Sequence, residues 1–326
     1  MVSRRRSLQY IAASGLLGHG LQPALADTSY PDRAIKLVVS KPPGGLDDSV
    51  ARAIQPDLEK ALRQPVVIEN IIGAQGIIGT QNVIRARPDG YRLLLLNTKQ
   101  QITAGELAES RPYDLAKDVT PIIAFASYRS AIIAHSGMPG NFAEVLRYAK
   151  DNPGKVVYGS SGVGSTAHLI VSIAAKQVGA DMIHVPYQGG GPASVAVMGG
   201  QVHLLYLDMP TALNAARSGR ARIVAQSGTT RYKDAPGAPL FSELGYGMFS
   251  NGSLSIAGPA GMEPAVVDKL QAAVRQACAQ PALQERLLKV GMEVEVIDGA
   301  GLRAEILDTT AKWIPQAKSV LAVAGK

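Results

Sequence analysis

From residue 35 onward, short apolar runs alternate with stretches in which apolar residues recur every three or four positions. That alternation predicts an α/β protein built on mostly parallel sheets. Ile35–Val39 reads as the first strand. Pro42-Pro43-Gly44-Gly45 breaks it, and Asp48 is placed to cap a helix carrying Val50, Ile54, Leu58 and Leu62 at helical spacing. Pro56 falls inside that stretch, where its missing N–H predicts a kink or a rearranged helix. Strands are expected at 66–69 and 92–96, separated by a Gly-rich turn through Gly73, Gly76 and Gly79 and a short helix.

A strand at 121–126 precedes a second set of similar units. These are a helix at 142–150, a strand at 156–158, a glycine loop at 159–164, a further helix, a strand at 182–185, a loop at 187–192, a short helix and a strand at 202–207. A strand at 253–257 follows, then a helix opening near Pro264 and another running from 300 into Trp313. No repeat of fixed period and no long linker interrupts the pattern. About 300 residues exceed the usual size of one domain. The expected division is 27–125 with 250–326 as one domain and 126–249 as the other, sharing two short crossings.

The first residues stand apart from this pattern. Arg4-Arg5-Arg6 precede an apolar run at 11–25 interrupted by Gly15, Gly18 and Gly20, and Ala24-Leu25-Ala26 fits the small-x-small rule of signal peptidase. Residues 1–26 therefore read as a secretory signal cleaved before Asp27. The run is too short and too rich in glycine to span a bilayer. Ser3-Arg4-Arg5-Arg6-Ser7-Leu8 also resembles a twin-arginine signal, with Ser7 where that pattern prefers Phe, so both export routes stay open. Loss of these residues lowers the formal charge from +7 to +4. The remaining Lys and Arg are scattered and aromatics are few, which argues against a nucleic-acid surface. The single cysteine, Cys278, has no partner for a disulfide or a metal site and reads as packing.

Three loops share one design, an apolar strand followed by Gly, Pro or Ser and a helix start: 41–48, 159–168 and 187–193. In open α/β sheets such loops lie at the carboxyl edges of strands, where free N–H groups and the helix dipole can hold an anion. Gly162-Val163-Gly164-Ser165-Thr166-Ala167 also matches a dinucleotide fingerprint in its Ala-ended form. This supports an alternative, an exported nicotinamide-dependent oxidoreductase built on Gly162, Gly164 and Ala167. The ribose-binding acid of that motif belongs at the end of the next strand, however, and Asp181 precedes it. Ser160-Ser161 lies in Gly-Ser-Ser-Gly, not in a nucleophile elbow. No two of His135, His168, His184 and His203 have the i, i+4 spacing of a metal pair, and no Gly-Lys-Ser/Thr phosphate loop occurs. Neither a catalytic residue, a metal nor a cofactor is expected.

Read in order, Tyr30-Pro31-Asp32-Arg33, Pro42-Pro43-Gly44-Gly45 with Asp48, Gln64-Pro65-Val66-Val67-Ile68-Glu69-Asn70 and Pro88-Asp89-Gly90-Tyr91 resemble one known family. Pro112-Tyr113-Asp114, Tyr158-Gly159-Ser160-Ser161-Gly162, His184-Val185-Pro186-Tyr187, Gly199-Gly200-Gln201-Val202 and Gly258-Pro259-Ala260-Gly261 continue the match over nearly the whole mature chain. The chain resembles Bug-type substrate-binding proteins of the tripartite tricarboxylate transporters. The resemblance implies a periplasmic clamshell of the type II-like binding-protein fold, two α/β domains joined by two crossing strands. It further implies a monomer that holds a small carboxylate, an organic acid or an amino acid, and passes it to transporter membrane subunits or to a sensor.

In that family the loop matching 42–48 holds one carboxylate through backbone N–H groups and ordered water, and the loop matching 160–168 meets the ligand from the other domain. The implied ligand-binding set is Gly44, Gly45, Asp47 and Asp48, then Thr98, then Ser160, Ser161, Gly164, Ser165, Thr166 and His168, and finally Tyr187, Gly189 and Asp208. Four departures bear on ligand identity: Leu46-Asp47, Ile71-Ile72, Gln188 and Leu207-Asp208 stand where the family usually has small hydroxyl residues, Arg-Pro, Lys and Asp-Asn. Asp47 either points to solvent or faces the cleft. In the second case it would disfavour a plain dicarboxylate and favour a ligand with an ammonium, amide or hydroxyl donor, with Asp208 as a second acceptor.

Overall fold

The computed structural model describes residues 30–187, 190–228, 230–247 and 252–324. The expected signal at 1–26, and Gln188 and Gly189 of the third loop, lie outside the described residues. No described helix is long and apolar enough to cross a membrane.

Eleven described strands form two sheets. In the first sheet, β1 (Ile35–Val39), β2 (Val66–Asn70) and β3 (Arg92–Asn97) run parallel, with β1 central. Three long-range strands extend it antiparallel in the order β11-β4-β10-β3-β1-β2: β4 (Val119–Tyr128), β10 (Gly252–Pro259) and β11 (Met292–Asp298). The second sheet has the order β7-β6-β8-β5-β9. Its parallel part is β6 (Val156–Ser160), β7 (Met182–Pro186) and β8 (Leu204–Asp208), and β5 (Ser130–His135) and β9 (Ala221–Gln226) complete it. β4 passes into β5 with only Arg129 between them. The chain returns from β9 to β10, so the two sheets form two lobes of a two-domain fold.

β1, with alternate and then continuous burial, and β4, almost wholly buried, read as core strands because helices cover both sheet faces. Helix α1 (Leu46–Leu62) puts Val50, Ile54, Leu58 and Leu62 into that core, as the spacing predicts. It runs as one helix through Pro56. It also begins two residues before Asp48, which therefore lies within the first turn and is not the cap; Gly45 takes that position. Helix α3 (Thr98–Leu107) follows β3, and α6 (Thr166–Val178) follows β6. The helix from Gly299 ends at Asp308 and passes through a π turn, Thr309–Trp313, into a C-terminal helix (Ile314–Ala324) that lies against α6, where Lys176 Nζ donates to the Ser319 carbonyl at 3.1 Å. Cys278 is buried, and burial pushes its thiol up to about 11, consistent with packing.

Candidate functional site

A cavity of about 290 Å³ opens between the lobes. The first lobe contributes Gln75 from the turn after β2 and Gln100, Thr103 and Ala104 from α3. The second contributes Ser161, the segment 164–167 that opens α6, Gly190, and 205–208 at the end of β8. Both contributions come from carboxyl ends of parallel strands, where backbone amides are unpaired by the sheet.

The second-lobe wall is built by local bonds. Ser160 closes β6; its buried Oγ donates to the Gly162 carbonyl at 2.9 Å, accepts the Gly162 N–H at 3.1 Å and lies 2.7 Å from His184 Nε2. Gly162 and Gly164 take φ of +128° and +76°, which a β-carbon disfavours, so the turn needs glycine there. Ser165 caps α6, its Oγ accepting the His168 N–H at 3.2 Å. The Gly164 N–H donates to His168 Nδ1 at 3.1 Å, which makes Nδ1 the unprotonated ring nitrogen. The His168 and His184 rings stack with centroids 4.0 Å apart. Burial pulls both below the usual imidazole range, and His184, further disfavoured by His168, falls to about 4. What remains unpaired is the start of α6: the N–H groups of Thr166 and Ala167 make no hydrogen bond within the described residues. They lie on the cavity wall at the positive end of a 13-residue helix.

The first loop is arranged differently from expectation. Asp48 Oδ2 accepts the Gly44 N–H and Arg52 Nε, each at 2.9 Å, and its Oδ1 accepts Asn70 Nδ2 at 3.0 Å. The Arg52 bond, aided by Gly44 and Asn70 against the opposing effect of burial, holds this carboxyl at about 2. The Gly45 N–H turns back to the Pro42 carbonyl at 3.3 Å. Gly44 and Gly45, expected to cradle an anion, thus spend their donors on Asp48 and Pro42. Asp47 is neither solvent-facing nor part of the cavity wall. It is 5% exposed and accepts Asn97 Nδ2 at 3.3 Å, and burial raises its pKa against the opposing effects of Asn97 and Lys41. Thr98 is also turned away from the cavity, its Oγ1 bonded to Ser253 and Ser255 Oγ at 2.8 and 2.9 Å on β10.

Of the other expected residues, Ser161, Gly164, Ser165, Thr166 and Asp208 meet at the cavity. Ser160 and His168 lie behind it as supports. The Tyr187 N–H ties to the Ser160 carbonyl at 2.8 Å, and its ring lies beside Gly159, away from the wall. Gln75, Gln100, Thr103, Ala104, Gly190 and Tyr206 were not expected there. For Gln75 the sequence holds one signal, its place between Gly73 and Gly76. α3 has none, since its buried residues are largely polar.

Asp181 stands before β7, paired in parallel with β6 through Val156↔Met182, and so at the edge of the sheet opposite Gly162. A dinucleotide bound at Gly162 would have no ribose contact from it. Residues 50–320 match the model of the "Tripartite tricarboxylate transporter family receptor". The chain belongs to this family. The receptor is 31% identical to protein BugT of Bordetella pertussis over 307 residues, 93% of each chain. Among solved structures it resembles MatC from Rhodopseudomonas palustris with bound malate, at 27% identity and a TM-score of 0.69 over 88% of this chain and 100% of that one. It also resembles R. palustris Rpa4515 with adipate, at 25% identity and a TM-score of 0.70 over 89% and 98%. The family is one of solute-binding receptors, and solved structures similar to this chain are described as a periplasmic transporter and as periplasmic binding protein BugD.

Proposed function

We propose that this receptor captures a small carboxylate in the periplasm, at the cavity between its lobes, and presents it to membrane subunits of a tripartite transporter or to a sensor. The observation that carries the reading is the pair of unpartnered N–H groups, Thr166 and Ala167, on the wall of a cavity that both lobes line. A carboxylate there would accept two N–H bonds and sit on the helix axis, where a negative charge is stabilised. Ser161 and Thr166 supply hydroxyls beside it, and the Gln75 and Gln100 amides reach the ligand from the other lobe. Malate and adipate in the two related structures fit the same chemistry. Because β4 keeps Ala126, Ser127 and Tyr128 in the first sheet, the lobes would meet at Arg129 and at the β9–β10 connection and close about them, and the ligand would stabilise the closed state.

A thermal-shift screen of organic acids tests this directly. A ligand that binds only the folded state raises the melting temperature, by about 2.7 kcal/mol of stabilisation at a concentration of 100 Kd. Small-angle scattering with the ligand so found should give a smaller radius of gyration than without it. If no small carboxylate raises the melting temperature, the reading is wrong.

A further inference from the structure

The cavity has two poles of opposite chemistry. At one, Thr166 and Ala167 offer N–H donors. At the other stands Asp208, the last residue of β8 and the cap of α8 (Met209–Arg217). Its Oδ1 accepts the Thr211 N–H at 2.9 Å. Its second oxygen makes no hydrogen bond or ion pair among the described residues, although the side chain is exposed and lines the cavity. Among the described residues it is the one carboxylate that lines the cavity, and neither Lys nor Arg lines it there.

The spacing of the poles follows from the sheet. β6 and β8 are adjacent and parallel, paired through Tyr158↔Leu204 and Gly159↔Leu205. Their ends, and the loops that carry the two poles, are therefore separated by one to two strand spacings, ~5–10 Å. That span suits a molecule carrying a carboxylate and a hydrogen-bond donor a few bonds apart. A plain dicarboxylate of the same length would bring its second negative charge up to Asp208. The repulsion in a wet cleft corresponds to a loss of at least ~5-fold in affinity.

We infer that Asp208 is a specificity-determining residue that selects carboxylates bearing an ammonium or hydroxyl group over plain dicarboxylates. The inference rests on the proposed carboxylate site at the start of α6 and adds the group that must lie at its other end. Asp47, which the sequence left either on the surface or in the cleft, is buried on Asn97 and outside the cavity wall, so of the two acids only Asp208 is placed to act as the acceptor.

The test is calorimetry with three four-carbon acids that differ only at the last carbon: succinate, 4-hydroxybutyrate and 4-aminobutyrate. Asp208→Asn removes the charge and keeps a side chain that caps a helix as well as Asp does, so the variant should melt with the native protein. The native receptor should prefer 4-hydroxybutyrate or 4-aminobutyrate to succinate by ~5-fold or more. A gain from 4-hydroxybutyrate assigns the donor as hydroxyl and a gain from 4-aminobutyrate alone as ammonium. Asp208→Asn should bring the ratio towards one, with succinate bound as well as before or better. An unchanged ratio in the variant, or a native preference for succinate, overturns the role of Asp208 while leaving the carboxylate site standing. Failure of all three acids, together with a negative screen of other carboxylates, overturns both.

Discussion

Lys41 Nζ donates to the main-chain carbonyl of Gln75 across 3.0 Å, tying the end of β1 to the turn that brings Gln75 to the cavity. The turn is strained: Gly73, Ala74, Gln75 and Gly76 all have positive φ, at 135°, 44°, 58° and 106°. Two of these residues carry a β-carbon, which costs roughly 1–2 kcal/mol each in the left-handed region. Gly76 and Gly79 are pressed onto Ser40, within 3 Å of where a β-carbon would stand. Burial lowers the Lys41 pKa, with Asp47 opposing. The ammonium adds one hydrogen bond to a turn in which two residues with a β-carbon stand in the left-handed region.

Two substitutions separate strain from binding. Gln75→Gly should raise stability by about 1 kcal/mol, because glycine adopts positive φ without penalty, and should weaken ligand binding by removing the amide. Lys41→Met should weaken binding ~10-fold, equivalent to one lost hydrogen bond to a charged group, by releasing the turn. Thermal unfolding and calorimetry on both variants check this. Equal affinity in Lys41→Met and native protein would mean that the turn holds itself.

Asp48 predicts the acid behaviour of the first lobe. Its folded pKa of about 2 lies below the ordinary 3.8, so the stability it confers is complete above pH 4 and is lost as pH falls through 2. Between those values the native protein should lose stability more steeply than Asp48→Asn, measured by urea unfolding at a series of pH values. At neutral pH Asp48→Ala should cost about 2–3 kcal/mol, since it leaves the Gly44 N–H without its acceptor and the Asn70 amide with only the Lys41 carbonyl.

The stacked histidines titrate in a different window. Their folded pKa values are lowered, so the unfolded chain binds more protons and stability falls as pH drops from 6.5 towards 4. A proton on His168 Nδ1 would also displace the Gly164 N–H, loosening the turn beside the carboxylate site. Affinity for a carboxylate should decline over the same interval, and His168→Gln should flatten that decline. NMR titration of the imidazole resonances gives the two pKa values independently.

Much of this was legible in the chain. The strand Ile35–Val39 was bounded to the residue, and the Gly-rich turn between β6 and α6 announced itself through Gly162, Gly164 and Ser165. α3 was invisible because Thr98, Lys99 and Gln101, which it buries, are polar; Gln101 is satisfied by Ser40 and Thr80, each at 3.0 Å, and by the Asn97 N–H. An apolar stripe cannot reveal a helix whose inner face is a hydrogen-bond network. β11 was missed for the opposite reason: Glu293 and Glu295 alternate with valines on an edge strand, a weak signal. At Gly44 and Gly45 composition shows where N–H groups occur and not that Asp48, four residues after Gly44, folds back to take the first of them.

The central claim is that a carboxylate is held by the first N–H groups of α6, and Thr166→Pro tests it most directly. Thr166 is the first helical residue, where proline fits the backbone and leaves the helix intact, and Ser165 before it already has the extended conformation that proline requires, with ψ of 157°. The substitution therefore deletes one N–H donor and one hydroxyl from the site and little else. Calorimetry with an acid found in the screen should show affinity reduced ~10-fold or more, the loss of at least one charge-assisted hydrogen bond, at an unchanged melting temperature of the free protein. Native affinity in a folded Thr166→Pro variant would contradict the account and place the carboxylate elsewhere.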